Sequence, residues 1–329
     1  EISACLVGSE MCIRDRSKVV RFADKPRHQL FLEPEFEHGD SIYLQGFSTG
    51  MPRELQEEMV HSLPGLENAK ILKYAYQIEY DALQSFQFDS TLQVKSLENL
   101  YVAGQICGTS GYEEAAGLGL LAGVNAANSL LGRKPLILTR DNSYIGVMVD
   151  DLVTKGAEEP YRLLTSRAEH RLLLRHDNAD ERLLGIGHEI GLVDDETFAK
   201  FKRKQDRIAE AKRILATQII PDKKGLNDYF EEQGYPRTEV GYKGAEVLRR
   251  PRFELSRLIP LIPELEALGL DFDERLSVQT EVKYEGYIAK EEKMIEHSRA
   301  KEGMAIPEGV DYILSLIHIS EPTRQAEIS

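Results

Sequence analysis

The stretch Leu100-Tyr101-Val102-Ala103-Gly104-Gln105-Ile106-Cys107-Gly108-Thr109-Ser110-Gly111-Tyr112-Glu113-Glu114-Ala115-Ala116 decides the fold class. Leu100–Ala103 reads as a buried strand, Gly104–Gly111 as a glycine-rich turn, and a small-residue helix follows to about Asn128. That layout aims main-chain N–H groups and the positive end of a helix at one point, which suits an anionic ligand. Glycines let the backbone approach a ligand, Gln105 and Thr109 offer polar tips, and Gly117, Gly119 and Gly123 thin a helix face. The same glycines would also serve close helix–sheet packing, so the pattern alone leaves both readings open. No Gly-x-Gly-x-x-Gly opening accompanies it; a dinucleotide bound here would have its main phosphate loop before Ser17.

Outward from this turn, residues 17–96 read as part of a mixed α/β domain. Lys18-Val19-Val20-Arg21-Phe22, Gln29–Leu32 and Ile42–Gln45 are strand candidates. Pro52 opens a helix carrying Leu55, Met59 and Val60 at helical spacing, and residues 70–80 read as extended. Residues 97–133 hold the turn and its helix, and residues 134–313 read as mainly helical. There, Ser166-Arg167-Ala168-Glu169 has the form of a capping box and predicts a helix start. Asp194-Asp195-Glu196 opens a charged helix to about Ala216. Gly225–Gly244, with Pro236, reads as a loop, and helices are expected at Arg257–Leu268 and Tyr284–His297. No internal repeat is visible.

The 329 residues suggest about two domains, and 42% hydrophobic with 29% charged residues is an ordinary globular balance. A net charge of −14 excludes a generally basic nucleic-acid coat but not a local basic patch. No run reaches the ~18 apolar residues of a membrane span. Three unpaired cysteines fit a reducing, cytoplasmic compartment, and the histidines lack ligand spacing, so no metal is expected.

The two ends read differently. Val7–Arg16 can be coded by a DNA whose reverse complement, in another frame, encodes Leu314–Arg324, and the agreement extends through Glu1–Leu6 opposite Gln325–Ser329. One inverted DNA repeat at both ends resembles a translated transposon-end sequencing adapter, so residues 1–16 and 314–329 are expected to be artefact and 17–313 a fragment. Setting aside Arg14, Arg16, Arg324, Glu1, Glu10, Asp15, Glu321 and Glu327 leaves 38 basic and 50 acidic residues, and only Cys107 remains of the cysteines.

Three motifs bear on chemistry. Gly46-Phe47-Ser48-Thr49-Gly50 matches a nucleophile elbow, but nothing singles out an acid and histidine for it, and Ser48 or Thr49 more simply caps the next helix. Arg167, Arg171 and Arg175 fall at i, i+4 and i+8 of the expected helix, after Arg162. Such a stripe suits phosphates, or else a salt-bridged face with Glu158, Glu159, Glu169 and Asp177. Asp150-Asp151 suits a metal or acid and base chemistry, but such a pair more often ends a strand or starts a helix.

Gly104–Ala116 resembles the signature of the MnmG (GidA) family of FAD-dependent enzymes that modify the wobble uridine of tRNA. The resemblance includes Phe31-Leu32-Glu33-Pro34-Glu35, Gln45–Thr49, Pro64–Ala69, Tyr144-Ile145-Gly146-Val147 with Asp150-Asp151-Leu152, and Glu159-Pro160-Tyr161-Arg162. It continues through Thr165–Leu172, Asp177–Asp180 and Val282–Ile288. It implies an α/β FAD-binding remnant (Rossmann-like, glutathione-reductase type) followed by a mainly helical region. It also implies NADH as reductant, methylenetetrahydrofolate as carbon donor, an MnmE-type GTPase partner, and a homodimer within a heterotetramer. By resemblance, Gln105 with Gly104, Gly108, Thr109 and Gly111 meets FAD, and Lys18, Val19, Val20, Arg21 and Phe22 end an NAD segment. Arg162, Arg167, Arg171 and Arg175 meet tRNA, a backbone such a stripe would neutralise. Cys107 stands where the family often has Asn, Leu118 or Gly117 where it has Gln, and His170 where Tyr is common. The family's functional cysteines are expected outside 17–313, so the chain alone is expected to be inactive. The alternatives are a folate- and FAD-dependent tRNA uridine methyltransferase, against which the long helical region argues, and a non-catalytic tRNA- or partner-binding module.

Overall fold

The structure is a computed structural model that describes residues 4–7, 23–76, 80–156, 160–221 and 225–302. It divides into two compact units, Glu1–Arg207 and Ile208–Ser329.

In the first unit the strands pair two by two and antiparallel. β1 (Ala4–Val7) pairs with β4 (Tyr80–Leu83), and β2 (Phe31–Pro34) pairs with β3 (Ile42–Gln45). β3 falls where expected, and β2 starts two residues later than Gln29. Lys18–Phe22 lies outside the described residues, as does the terminal stretch 314–329; of 1–16, only Ala4–Val7 is described. Its pairing is main chain to main chain, which asks little of side-chain identity. α1 (Arg53–His61) follows Pro52, whose φ of −54° already suits a helix start.

The glycine turn leads into α2 (Tyr112–Leu130), which packs on α3 (Tyr144–Thr154). Leu118, Leu121, Ala122 and Asn125 are buried at i, i+3, i+4 and i+7, and join Phe88, Leu92, Val94, Val102, Met148 and Leu152 in the unit's core. Asn125 is tolerated there because its amide donates to Thr91 O at 3.1 Å and Leu136 O at 3.0 Å and accepts from Leu136 N at 2.7 Å. The three helix glycines do not share one packed face. A Cβ on Gly117 would stand 3.2 Å from Ile145, whereas Gly119 and Gly123 have nothing within 4 Å.

Three expectations are corrected in this unit. Leu100–Ala103 is no strand: Tyr101 makes one bridge to Gln93, because Leu92 (φ +66°) and Asn99 (φ +61°) turn the chain on either side of the pairing. Asp150 and Asp151 lie inside α3, not at an element's edge. No helix starts at Ser166, where Thr165–Arg167 makes a single tight turn and Ala168 returns to extended backbone. The Glu169 carboxylate that would have closed the capping box is held instead by both Nε and Nη2 of Arg140. A charge-assisted bidentate bond of this kind outweighs one amide cap. Further on are α4 (Ala179–Glu189) and α5 (Asp195–Thr217); the boundary between units falls within α5.

The second unit is helical around Leu215, Leu226, Phe230, Leu248, Phe253 and Leu258, with the short strands β5 (Ile219–Ile220) and β6 (Tyr242–Lys243) paired at one side. The expected loop at Gly225–Gly244 holds α6 (Leu226–Glu232), whose Leu226, Tyr229 and Phe230 enter the core. Two turns are too few to display a helical period in sequence. After α7 (Gly244–Leu248), α8 (Leu255–Leu258) and α9 (Pro263–Ala267), α10 runs Phe272–Glu302, longer than Tyr284–His297. It opens on a reciprocal cap: Glu274 N donates to Asp271 Oδ1 at 2.8 Å, and Asp271 N to Glu274 Oε2 at 2.9 Å. Among the described residues no helix is long and apolar enough to cross a membrane.

Candidate functional site: a glycine turn at a cleft

Gly104 and Gly108 hold φ of +80° and +88°, a region that favours glycine, and Gly108 N closes the turn on Gln105 O at 2.8 Å. Gly111 is the N-cap of α2 and supplies no side-chain cap, and the first turn of the helix carries Glu113 and the buried Glu114, whose charge offsets the helix's positive end. Gln105 and Ser110 line a cleft of about 830 Å³ opposite Leu32 and Tyr43 of the β2–β3 hairpin, Ser48 and Thr49, and the 66–76 segment with Lys70, Lys73 and Tyr76. Gln56 braces its far side: its amide donates to Met51 O at 2.7 Å and Ala75 O at 3.0 Å, while Ala75 N donates to its Oε1 at 2.9 Å. Aromatic faces, cationic amines and amide or hydroxyl tips around such a volume suit a planar heterocycle with polar edges.

Not every residue of the turn faces the cleft. Thr109 is fully buried and bridges to Tyr161. Cys107 is buried and its thiol is pushed up to about 12 by burial, so it is no nucleophile at neutral pH. Nor does the Ser48 region cap α1: Thr49 Oγ1 accepts from Met51 N at 3.2 Å, ahead of a helix that has no side-chain cap.

The segment Tyr161–Leu163 is laid against the turn. Tyr161 N donates to Gly108 O at 2.8 Å, and Leu163 N to Glu114 Oε1 at 2.8 Å. The other Glu114 oxygen is buried over Gly111, where an added Cβ would meet it at 1.6 Å and Arg162 Nη1 at 2.9 Å. Behind this segment lies a charge cluster that sequence reasoning missed. Buried Asp151 accepts from Arg140 Nη1 at 2.7 Å, Lys155 Nζ at 2.7 Å and the Tyr161 hydroxyl at 2.9 Å. Arg140 also reaches Glu169, Asp150, and the carbonyls of Val147 and Arg167. Burial alone would raise the Asp151 carboxyl, but the bonds from Lys155, Arg140 and Tyr161 hold it below the usual aspartate range. Burial and the Asp151 charge together raise the Tyr161 phenol.

Arg167, Arg171 and Arg175, expected on one helix, and Arg162 before them sit instead outside any α-helix, each in a different state. Arg162 stands beside Gly111. Arg167 donates to Arg162 O at 2.7 Å and lies 4.4 Å over the Tyr161 ring. Arg175 is fixed on Asp177 at 3.0 Å and Leu172 O at 2.9 Å. Arg171 is exposed, with no ion pair among the described residues.

Residues 3–134 match the family model of glucose inhibited division protein A, and 195–292 match that of the tRNA modifying enzyme MnmG/GidA C-terminal helical domain. The chain belongs to the MnmG/GidA family. The tRNA uridine 5-carboxymethylaminomethyl modification enzyme MnmG of Listeria welshimeri is 48% identical over 306 residues, covering 93% of this chain and 48% of the relative. The enzyme of the same description from Geobacillus kaustophilus is 47% identical over 305 residues, with the same coverage. The solved structure of Aquifex aeolicus GidA in its form II crystal superposes with a TM-score of 0.70 at 34% identity, covering 99% of this chain and 54% of that one. This MnmG/GidA chain thus spans about half the length of the curated relatives it matches.

Proposed function

We propose that this chain is the glycine-turn and helical portion of a flavin-dependent enzyme that modifies the wobble uridine of tRNA at C5. In this reading FAD meets Gln105 at the cleft, on a turn shaped by Gly104, Gly108 and Gly111; Thr109, fully buried and not lining the cleft, is not one of its contacts. NADH is the reductant, with Lys18–Phe22 in its segment, and methylenetetrahydrofolate is the carbon donor. An MnmE-type GTPase joins a homodimer of the enzyme in the cytoplasm, and Arg162, Arg167, Arg171 and Arg175 belong to the tRNA-binding region.

The observation that carries the reading is the tight turn at two positive-φ glycines that opens Gln105 and Ser110 on the cleft. The residues lining the cleft fit a flavin: Gln105 and Ser110 offer amide and hydroxyl partners, Tyr43 and Tyr76 flat faces, and Lys70 and Lys73 positive charge for the polar edge of its ring system. Bound flavin would supply two-electron redox chemistry, while the chain binds and orients it and walls the ring from water. The match of residues 195–292 to the MnmG/GidA helical domain favours this reading over the folate-dependent methyltransferase.

Titration of the purified chain with FAD, followed by flavin fluorescence, tests the reading. Saturable quenching that weakens in Gly108→Val, where a β-branched residue cannot hold φ +88° without strain, supports it. Binding of a tRNA transcript without FAD binding would replace it with the tRNA-module reading.

A further inference from the structure

We infer that Tyr161 is a positioning residue that ties the glycine turn to the arginine-bearing loop, so that a flavin at the turn and an RNA at Arg162–Arg171 act on one shared element. The inference rests on the function proposed above.

Tyr161 is held at both ends by different parts of the chain. Its main-chain N–H is bonded to Gly108 of the turn, and its hydroxyl to Asp151 of α3. On its ring lies Arg167, and the next two residues place Arg162 beside Gly111 and bond Leu163 to Glu114. A shift of Tyr161 therefore moves one guanidinium at the turn and another on the loop. Asp151 does not depend on the hydroxyl: Arg140 and Lys155, each at 2.7 Å, remain as cationic partners when it is lost. The tyrosine–aspartate bond thus serves the loop rather than the acid. Tyr161→Phe removes that bond, keeps the buried ring, and strands no bare charge.

The test uses the whole chain. FAD affinity is measured with and without a saturating tRNA transcript, alongside amide hydrogen exchange at Leu163. In the parent, tRNA is expected to change the FAD Kd by about 5-fold or more, with the reciprocal change in tRNA affinity. In Tyr161→Phe that ratio falls toward one and the Leu163 amide exchanges several-fold faster. Glu114→Ala should do the same from the other side, whereas Glu114→Gln, which keeps an oxygen acceptor for Leu163, should restore both. A parent that binds both ligands without coupling, or equal coupling in parent and Tyr161→Phe, overturns the inference. If the parent binds neither ligand, the proposed function is what fails. Leu163 exchange then decides the positioning role, and protection unchanged in both Tyr161→Phe and Glu114→Ala overturns it.

Discussion

Gly146→Ala separates helix propensity from packing. Gly146 lies in the first turn of α3, where its amide donates to the Ser143 N-cap oxygen at 2.9 Å. Propensity alone would make alanine better there by about 1 kcal/mol. The added Cβ, however, would stand 2.1 Å from Thr139 O, 2.5 Å from Thr139 C and 2.8 Å from Thr139 N, where ordinary contact begins near 3.4 Å. These are backbone atoms of a closed turn: Asn142 N and Ser143 N both donate to Thr139 O at 3.2 Å, and Thr139 N to Asn142 Oδ1 at 3.0 Å. The turn has to retreat by roughly 1 Å, an overpacking that costs about 1–3 kcal/mol. It carries Arg140 with it, and each charge-assisted hydrogen bond loosened from that guanidinium adds about 1.5–3 kcal/mol. The expected net effect is a loss of about 2 kcal/mol or more from the first unit. Urea unfolding by far-UV circular dichroism, fitted with one transition per unit, measures it. Gly119→Ala and Gly123→Ala serve as controls: both face open space on α2 and should be neutral or stabilising by up to about 1 kcal/mol. A Gly146→Ala protein at least as stable as its parent, beside well-behaved controls, would refute the argument.

Acid stability offers a second check. Asp151 titrates below its ordinary value in the folded chain, so its contribution is present above about pH 4 and is lost as pH falls further, while the unfolded chain takes up the proton first. Asp151→Asn should lower stability at neutral pH and flatten the pH dependence below about 4; an unchanged acid limb in pH-dependent urea melts would reject the ion cluster. Cys107, buried with a thiol pushed up to about 12, should resist iodoacetamide in the native chain and react once unfolded, as read by peptide mass spectrometry. Rapid native labelling would mean that the turn opens. Arg171→Ala should weaken tRNA binding and reduce the slope of log K against log salt by about one, whereas Arg175→Ala, whose guanidinium is already held by Asp177, should act mainly on stability. Equal salt slopes for Arg171→Ala and the parent would remove Arg171 from the RNA surface.

What the sequence made readable is what is local. The glycine turn, α2, β3 and the limits of α5 rest on neighbours within a turn or two, and periodicity reports those directly. The reciprocal cap between Asp271 and Glu274 was equally local and could have been read from an acid followed three residues later by Glu. The misread helix start at Ser166 came from a partner far along the chain. Ser166-Arg167-Ala168-Glu169 has every residue of a capping box, yet Arg140 takes the glutamate from 29 residues away. Gln56 and Asn125 lie on helices with nothing in their neighbours to mark them. Each lends a side-chain amide to a main-chain unit elsewhere, Ala75 for one and Leu136 for the other.

The same distinction explains why the candidate site was only half legible. A cradle for a ligand needs glycines and a helix end in immediate succession, so Gly104–Gly111 announces itself. What aims the cradle at a second site is long-range: Gly108 to Tyr161, Glu114 to Leu163, and Asp151 to Tyr161 join positions separated by 10 residues or more. Arginines spaced four apart were a fair signal for a phosphate-binding face only while they shared a helix. Once Arg140 unmakes that helix, the spacing loses its meaning, and each guanidinium has to be judged by what already holds it. On that basis Arg167 and Arg175 brace the loop, Arg162 belongs beside the turn, and Arg171 is the one of the four left facing solvent with no ion pair among the described residues.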